Sequence, residues 1–139
     1  MRGRPKGTGK GDSIRYLNED QLKRFFKVVD QGRPRARDGL MYRLILFFAL
    51  RVREAQGIRL ADIVRDTHQI SIKGIKSGRQ RVYDVPEDIW KKFDQWMKRR
   101  TPKENPFLFP NQVRENLPID VNTIKLGFKR YLRIAGIPD

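Results

Sequence analysis

The residues whose types and spacing could do chemistry are cations. An apolar run, Leu40 to Leu50, is interrupted by Arg43 and passes directly into Arg51, with Glu54 three positions further on. A second group, Lys73, Lys76, Arg79 and Arg81, surrounds Ser77-Gly78. A guanidinium held against an apolar helix is a fixed fork, and its paired, charge-assisted hydrogen bonds match two oxygens of one phosphoryl group. Attack at phosphorus builds charge on those oxygens, which a preplaced cation stabilises. The plain alternative is an arginine that ends a helix and pairs with Glu54. Such an i,i+3 pair contributes only about 0.2–0.5 kcal/mol, a weak reason to set a cation against so apolar a helix. For the second group, the alternative is a solvated basic turn, with Arg79 and Arg81 as plain phosphate contacts.

Helices and one hairpin must position these groups. Asn18-Glu19-Asp20-Gln21 reads as a capping box, and Leu22, Phe25, Phe26 and Val29 follow at helical spacing until Gly32-Arg33-Pro34. A second helix is expected from Arg37 to Leu50, apolar almost all round and the most buried element. A short third helix occupies about Arg53 to Ile58, and Leu60-Ala61-Asp62-Ile63 closes the segment as a turn. Ile70-Ser71-Ile72 and Gln80 to Val85 alternate as the two strands of a hairpin about Ser77-Gly78. Pro86-Glu87-Asp88 opens another helix with Ile89, Trp90, Phe93, Trp96 and Met97 on its apolar face. Thr101 to Pro106 reads as a loop and Phe107-Leu108-Phe109-Pro110 as a short buried piece. Asp120 should cap a last helix carrying Ile124, Phe128, Tyr131, Leu132 and Ala135, which Gly136 stops. The fold class is therefore mainly α with a small antiparallel β-hairpin or sheet. There is no internal repeat.

Composition narrows the partner. The chain has 139 residues, enough for one domain with a modest core. Lys and Arg number 31 against 16 Asp and Glu, a net charge of +15. That excess points to a polyanion, because each phosphate neutralised releases counterions. There is no cysteine, so disulfide scaffolds and Cys-based metal sites or nucleophiles are excluded. No apolar run approaches the ~18–20 residues of a bilayer span, and none is placed as a signal peptide. A cytoplasmic protein with no membrane partner is expected. Residues 1–13 read as a flexible basic arm and residues 14–139 as the domain. Within the arm, Arg2, Arg4, Lys6 and Lys10 are candidate DNA-backbone contacts, and Arg2-Gly3-Arg4-Pro5-Lys6 looks like the core of an AT-hook, which lies in narrow A·T minor grooves.

The stretch Leu50-Arg51-Val52-Arg53-Glu54, with Leu60, Asp62 and Ile63 in register, resembles the first signature box of the tyrosine recombinase (phage integrase) family. Ala49 replaces the usual glycine and Arg53 the usual serine. Lys76-Ser77-Gly78-Arg79-Gln80-Arg81 running to Val85-Pro86 resembles the family's Lys-Thr-Gly-x-x-Arg-x-Val-Pro pattern, with Tyr83-Asp84 lengthening the spacing. The order of elements from Tyr16 to Ile137 is similar to the first part of the family's catalytic domain. Phe128 to Ile137 resembles the helix and Ala-Gly-Ile that precede the second box. The resemblance implies that Arg51 is the first catalytic arginine and that Lys76, or alternatively Lys73, is the general acid for the leaving 5′ oxygen. Glu54 is given a supporting role that orients Arg51 or a neighbouring loop. Lys73, Arg79 and Arg81 join the arm as candidate DNA contacts. The resemblance further implies double-stranded DNA as partner, a 3′-phosphotyrosyl intermediate, a tetramer in the parent enzyme assembled through the missing C-terminal half, and no metal or other cofactor.

The family's second box, His-x-x-Arg, and its tyrosine nucleophile have no counterpart in this sequence. His68 is the one histidine, its third following residue is Ser71, and it reads as a polar loop residue. Tyr16, Tyr42, Tyr83 and Tyr131 each have a structural reading: a contact before the first helix, the core helix, a strand and the last helix. The chain alone is therefore expected to bind DNA without cleaving it. It reads either as a fragment ending before the second box or as a natural short form, with Ile137-Pro138-Asp139 favouring the fragment. The rival functions are a non-catalytic DNA-binding or architectural protein derived from the same fold and, more weakly, an RNA-binding protein.

Overall fold

The computed structural model describes residues 17–138. Helix α1 (Glu19–Val29) begins with the expected capping box: the Asn18 side chain accepts from Gln21 N at 2.8 Å and Gln21 Oε1 accepts from Asn18 N at 3.0 Å. Phe25 and Val29 are fully buried. Helix α2 (Arg35–Phe47) is the central element, buried from Asp38 to Tyr42 and again at Leu44 and Ile45. It is not apolar all round. Asp38 is buried within it, and Arg43 forks onto Asp30 of the α1 cap at 2.8 and 2.9 Å, with the Phe26 ring below its guanidinium. Phe47 is exposed.

The helix also stops earlier than its sequence suggests. Phe48 leaves helical geometry and Ala49 adopts φ +54°. Leu50 N then donates back to Ile45 O at 2.9 Å, the 6→1 bond of a Schellman stop. That turn drives Leu50 into the core. An apolar run cannot by itself announce such a stop, since the residue in the left-handed position is an alanine and not a glycine.

Helix α3 (Val52–Gln56) follows at once, then a 3₁₀ turn (Leu60–Asp62). Strand β1 (Ile63–Val64) grows out of the segment expected only to turn. With β2 (Gln69–Lys73) and β3 (Gln80–Asp84) it forms an antiparallel sheet in the order β1-β2-β3. The register pairs Ile63 with Ile70, Ile70 with Tyr83 and Ile72 with Arg81, so one face carries the isoleucines into the core. Helix α4 (Glu87–Arg99) buries Ile89, Trp90, Phe93 and Trp96 and packs along α2.

The segment from Thr101 to Pro110 is a loop whose order comes from one buried cation. Arg100 is 2% exposed, and its guanidinium donates to the carbonyls of Lys103, Asn105, Phe107 and Leu108. The Trp96 indole donates to the Leu108 carbonyl at 2.8 Å. Leu108 and Phe109 are fully buried, as their sequence implies, and Leu108 N reaches Ile58 O at 2.8 Å. Helix α5 (Val121–Ile134) starts at Asp120, whose side chain makes no cap hydrogen bond, contrary to expectation. Gly136 (φ +73°) ends it, and Ile137 N returns to Leu132 O at 2.9 Å. Two buried hydroxyls fasten α5 to α2: Tyr42 donates to Ile124 O at 2.6 Å and Tyr131 to Asp38 Oδ2 at 2.6 Å.

Candidate functional site

The site begins where α2 stops. With Leu50 anchored, Arg51 becomes the half-buried N-cap residue of α3. Its N–H donates to Glu54 Oε1 at 2.9 Å, and the other carboxylate oxygen, Oε2, accepts from Ile75 N at 3.1 Å. One carboxylate thus joins the backbone of Arg51 to the turn between β2 and β3. Both are N–H donors to an ionised acceptor, the stronger class of hydrogen bond.

That turn is built to be close and rigid. Gly74 N donates to Arg79 O at 2.8 Å, Gly78 N to Gly74 O at 2.9 Å and Arg79 N to Ser77 Oγ at 3.1 Å. A Cβ at Gly74 would stand 2.6 Å from Ser77 Oγ, so any larger residue must push that hydroxyl away from Arg79 N. Gly78 holds φ +70°.

Between α3 and the sheet lies a groove of about 630 Å³, whose cationic lining is Arg53, Arg59 and Lys73 and whose acids are Glu54 and Asp62. Lys73 is exposed at the end of β2. Lys76 is exposed at the tip of the turn, directly after the Ile75 amide that Glu54 holds. Arg79 and Arg81 are exposed beyond it. The structure therefore brings Arg51, Glu54 and the hairpin turn together. Arg2, Arg4, Lys6 and Lys10, with the rest of the arm and Tyr16, lie outside the described residues. Arg53 and Arg59 were not anticipated in the groove. Asp62, whose carboxylate accepts from Arg59 N at 2.9 Å, is the signal that could have placed Arg59 at the start of its own capped turn.

His68 belongs elsewhere. It sits in the turn before β2, as expected, but it is more than a polar loop residue: its ring stacks on Trp90 at 4.2 Å and its Nδ1 lies 3.4 Å from Glu87 Oε1. Tyr42 and Tyr131 are buried at the α2–α5 junction and Tyr83 packs on Phe48 at 4.7 Å, the structural placements their sequence contexts suggest. Among the described residues no group of three or more His, Asp or Glu is arranged to hold a metal ion, and no helix is long and apolar enough to cross a membrane.

Comparison with known proteins gives the chain a family. The family model described as "Phage integrase family" matches residues 15–139. The chain belongs to the phage integrase family. Among curated members, the tyrosine recombinase XerA of Pyrococcus furiosus is 28% identical over 122 residues, covering 87% of this chain and 42% of that protein. The fold matches a crystal structure of XerA recombinase with a TM-score of 0.75 at 20% identity, covering 99% of this chain and 46% of that one. It also matches XerH site-specific recombinase bound to its difH substrate in a pre-cleavage complex, with a TM-score of 0.74 at 23% identity, over 92% of this chain and 38% of that one. This phage integrase chain thus spans about two-fifths of the length of the XerA relative it matches.

Proposed function

We propose that this chain is the part of a site-specific tyrosine recombinase that grips DNA at the phosphate to be cleaved. Arg51 donates its forked N–H groups to the non-bridging oxygens, where charge develops as phosphorus is attacked. Lys76, with Lys73 as the second choice, delivers the proton to the leaving 5′ oxygen. Glu54 touches neither oxygen and acts as a positioning residue, because it holds the backbone on both sides of the site. The observation that carries this reading is the single carboxylate joining Arg51 N and Ile75 N in a chain that matches the family over residues 15–139. Double-stranded DNA is the partner, contacted by Lys73, Arg79 and Arg81 and by the basic arm of residues 1–13 through Arg2, Arg4, Lys6 and Lys10. In this reading the complete enzyme works in the cytoplasm as a tetramer.

Tyr42 and Tyr131 commit their hydroxyls to buried acceptors, so neither is placed to serve as the nucleophile. The test is Arg51→Ala in the complete recombinase. Cleavage of a duplex carrying the target site should fall by at least a hundredfold, the scale on which a lost oxyanion donor acts, while DNA affinity changes only a few-fold. Normal cleavage by that variant would falsify the assignment. A non-catalytic DNA-binding role, favoured by the +15 charge alone, requires instead that Arg51→Ala cost no more affinity than Lys73→Ala and that no cleavage be seen in either.

A further inference from the structure

A second cationic site lies at the other end of α2. The α1–α2 turn, the first turn of α2 and the last turn of α4 enclose a cleft of about 710 Å³. Arg33, Arg35, Arg37 and Arg99 line it, and no Asp or Glu does. Arg37 donates its Nε to the buried Asp38 at 2.9 Å. Among the described residues Arg33, Arg35 and Arg99 make no hydrogen bond or ion pair. The contrast within the same helix is sharp, since Arg43, which ties α2 to α1, is matched by Asp30. Pro34 stands at the N-cap of α2 with no capping side chain, so the positive end of that helix adds to the same potential. Three guanidinium groups without an acidic partner, Arg33, Arg35 and Arg99, gather positive potential around one cleft that an entering anion relieves.

The anion is best supplied by nucleic acid. A second copy of this chain, at +15 with 16 acids against 31 cations, is a poor source of complementary charge. A duplex carries a phosphate about every 1.7 Å of its axis. Helix α2 has 13 residues and therefore runs about 20 Å at 1.5 Å per residue. The cleft is at its N-terminal end and Arg51 just past its C-terminal end. Laid along one strand at 3.4 Å per step, a separation of about 20 Å would span about six nucleotides. We propose that the Arg33–Arg35–Arg99 cleft is a second phosphate-backbone site that lengthens the protein's grip on the duplex held at Arg51. It rests on the DNA-binding reading above and adds to it residues that no box of the family resemblance contains.

The test compares two triple variants with equal charge removed: Arg33→Gln/Arg35→Gln/Arg99→Gln, and Lys23→Gln/Lys91→Gln/Lys129→Gln, whose lysines line neither cleft nor groove. The affinity of a 30-base-pair duplex is read by fluorescence anisotropy across a salt series, and the contact span by hydroxyl-radical footprinting. The cleft variant should show a log Kd against log salt slope shallower by about 2–3, at about 0.9 per lost phosphate contact, and a footprint shortened by about six nucleotides at one end. The lysine control should keep both. An Arg33→Lys/Arg35→Lys/Arg99→Lys variant should retain the wild-type slope, which separates lost charge from lost folding. Equal slopes in the two glutamine variants overturn the cleft proposal while leaving DNA binding intact. A change in sedimentation without a change in slope also overturns it, by making the cleft a protein contact. Absence of any salt-dependent binding by the wild type removes the DNA-binding reading itself, and the cleft with it.

Discussion

Arg51 owes its position to a backbone conformation two residues earlier. Ala49 sits at φ +54°, a region where a Cβ crowds the following carbonyl and which costs an L-residue about 1–2 kcal/mol. Ala49→Gly relieves that strain, offset in part by the greater freedom of glycine in the unfolded chain. It should raise stability by about 0.5–1 kcal/mol, seen as a higher urea midpoint with an unchanged m-value. A fall in the midpoint would show that the alanine methyl is held by packing that outweighs the strain. Glu54 acts at the same scale. Glu54→Ala leaves Arg51 N and Ile75 N without their acceptor and should destabilise the fold by about 1–2 kcal/mol. The more specific signature is faster amide hydrogen exchange at Ile75 than at Ile70. Equal acceleration at both would mean general loosening and no latch.

At the scale of elements, α2 is held from two sides by groups that titrate. Burial raises the Asp30 carboxyl, but the Arg43 hydrogen bond and charge, with Lys92 3.7 Å away, outweigh it and hold the group below its ordinary value. A depressed carboxylate contributes stability above the unfolded value of 3.8, and that contribution is lost as pH falls below it. Acid unfolding, followed by circular dichroism, should therefore begin at higher pH in Arg43→Gln than in wild type. On the other side, burial first and the hydrogen bond to Asp38 second push the Tyr131 hydroxyl up to about 12, and burial with the Asp38 charge raises Tyr42 as well. An unfolded tyrosine titrates near ~10, so above that pH the unfolded chain sheds protons the folded chain keeps. Stability is full below about pH 10 and declines as pH rises past it. Urea midpoints across that range should fall less steeply in Tyr131→Phe than in wild type, and parallel curves would remove the linkage. The α2–α5 contact is also sterically tight, since a Cβ at Gly127 would lie 2.5 Å from Tyr42 Oη. Gly127→Ala must displace the hydroxyl from Ile124 O and should cost about 1–3 kcal/mol.

For the whole molecule, the net +15 sets how it meets a partner more than how it folds. If six or more phosphates are contacted, duplex affinity should fall by about a thousandfold between 50 and 200 mM salt, and a flat salt series would exclude a backbone grip. Much of the architecture was legible in the chain. The capping box at Asn18, the apolar faces of α1, α4 and α5, the hairpin about Ser77-Gly78 and the register of the first box all depend on short periods or near neighbours. Strand β1 escaped because its two residues carry no period and exist only by pairing with Ile70 and Gln69. The end of α2 escaped because an alanine took the left-handed position. Arg100 sits in Lys98-Arg99-Arg100, which reads as a solvated charge run, yet the loop carbonyls that bury it come from residues beyond the helix. The sequence by itself therefore determined the elements, the cationic character of the site and the family resemblance, because these are local patterns. Only the tertiary structure decided that Glu54 reaches the hairpin turn and that Arg99 lines one cleft with Arg33 and Arg35, because those approaches depend on how segments far apart in the chain pack together.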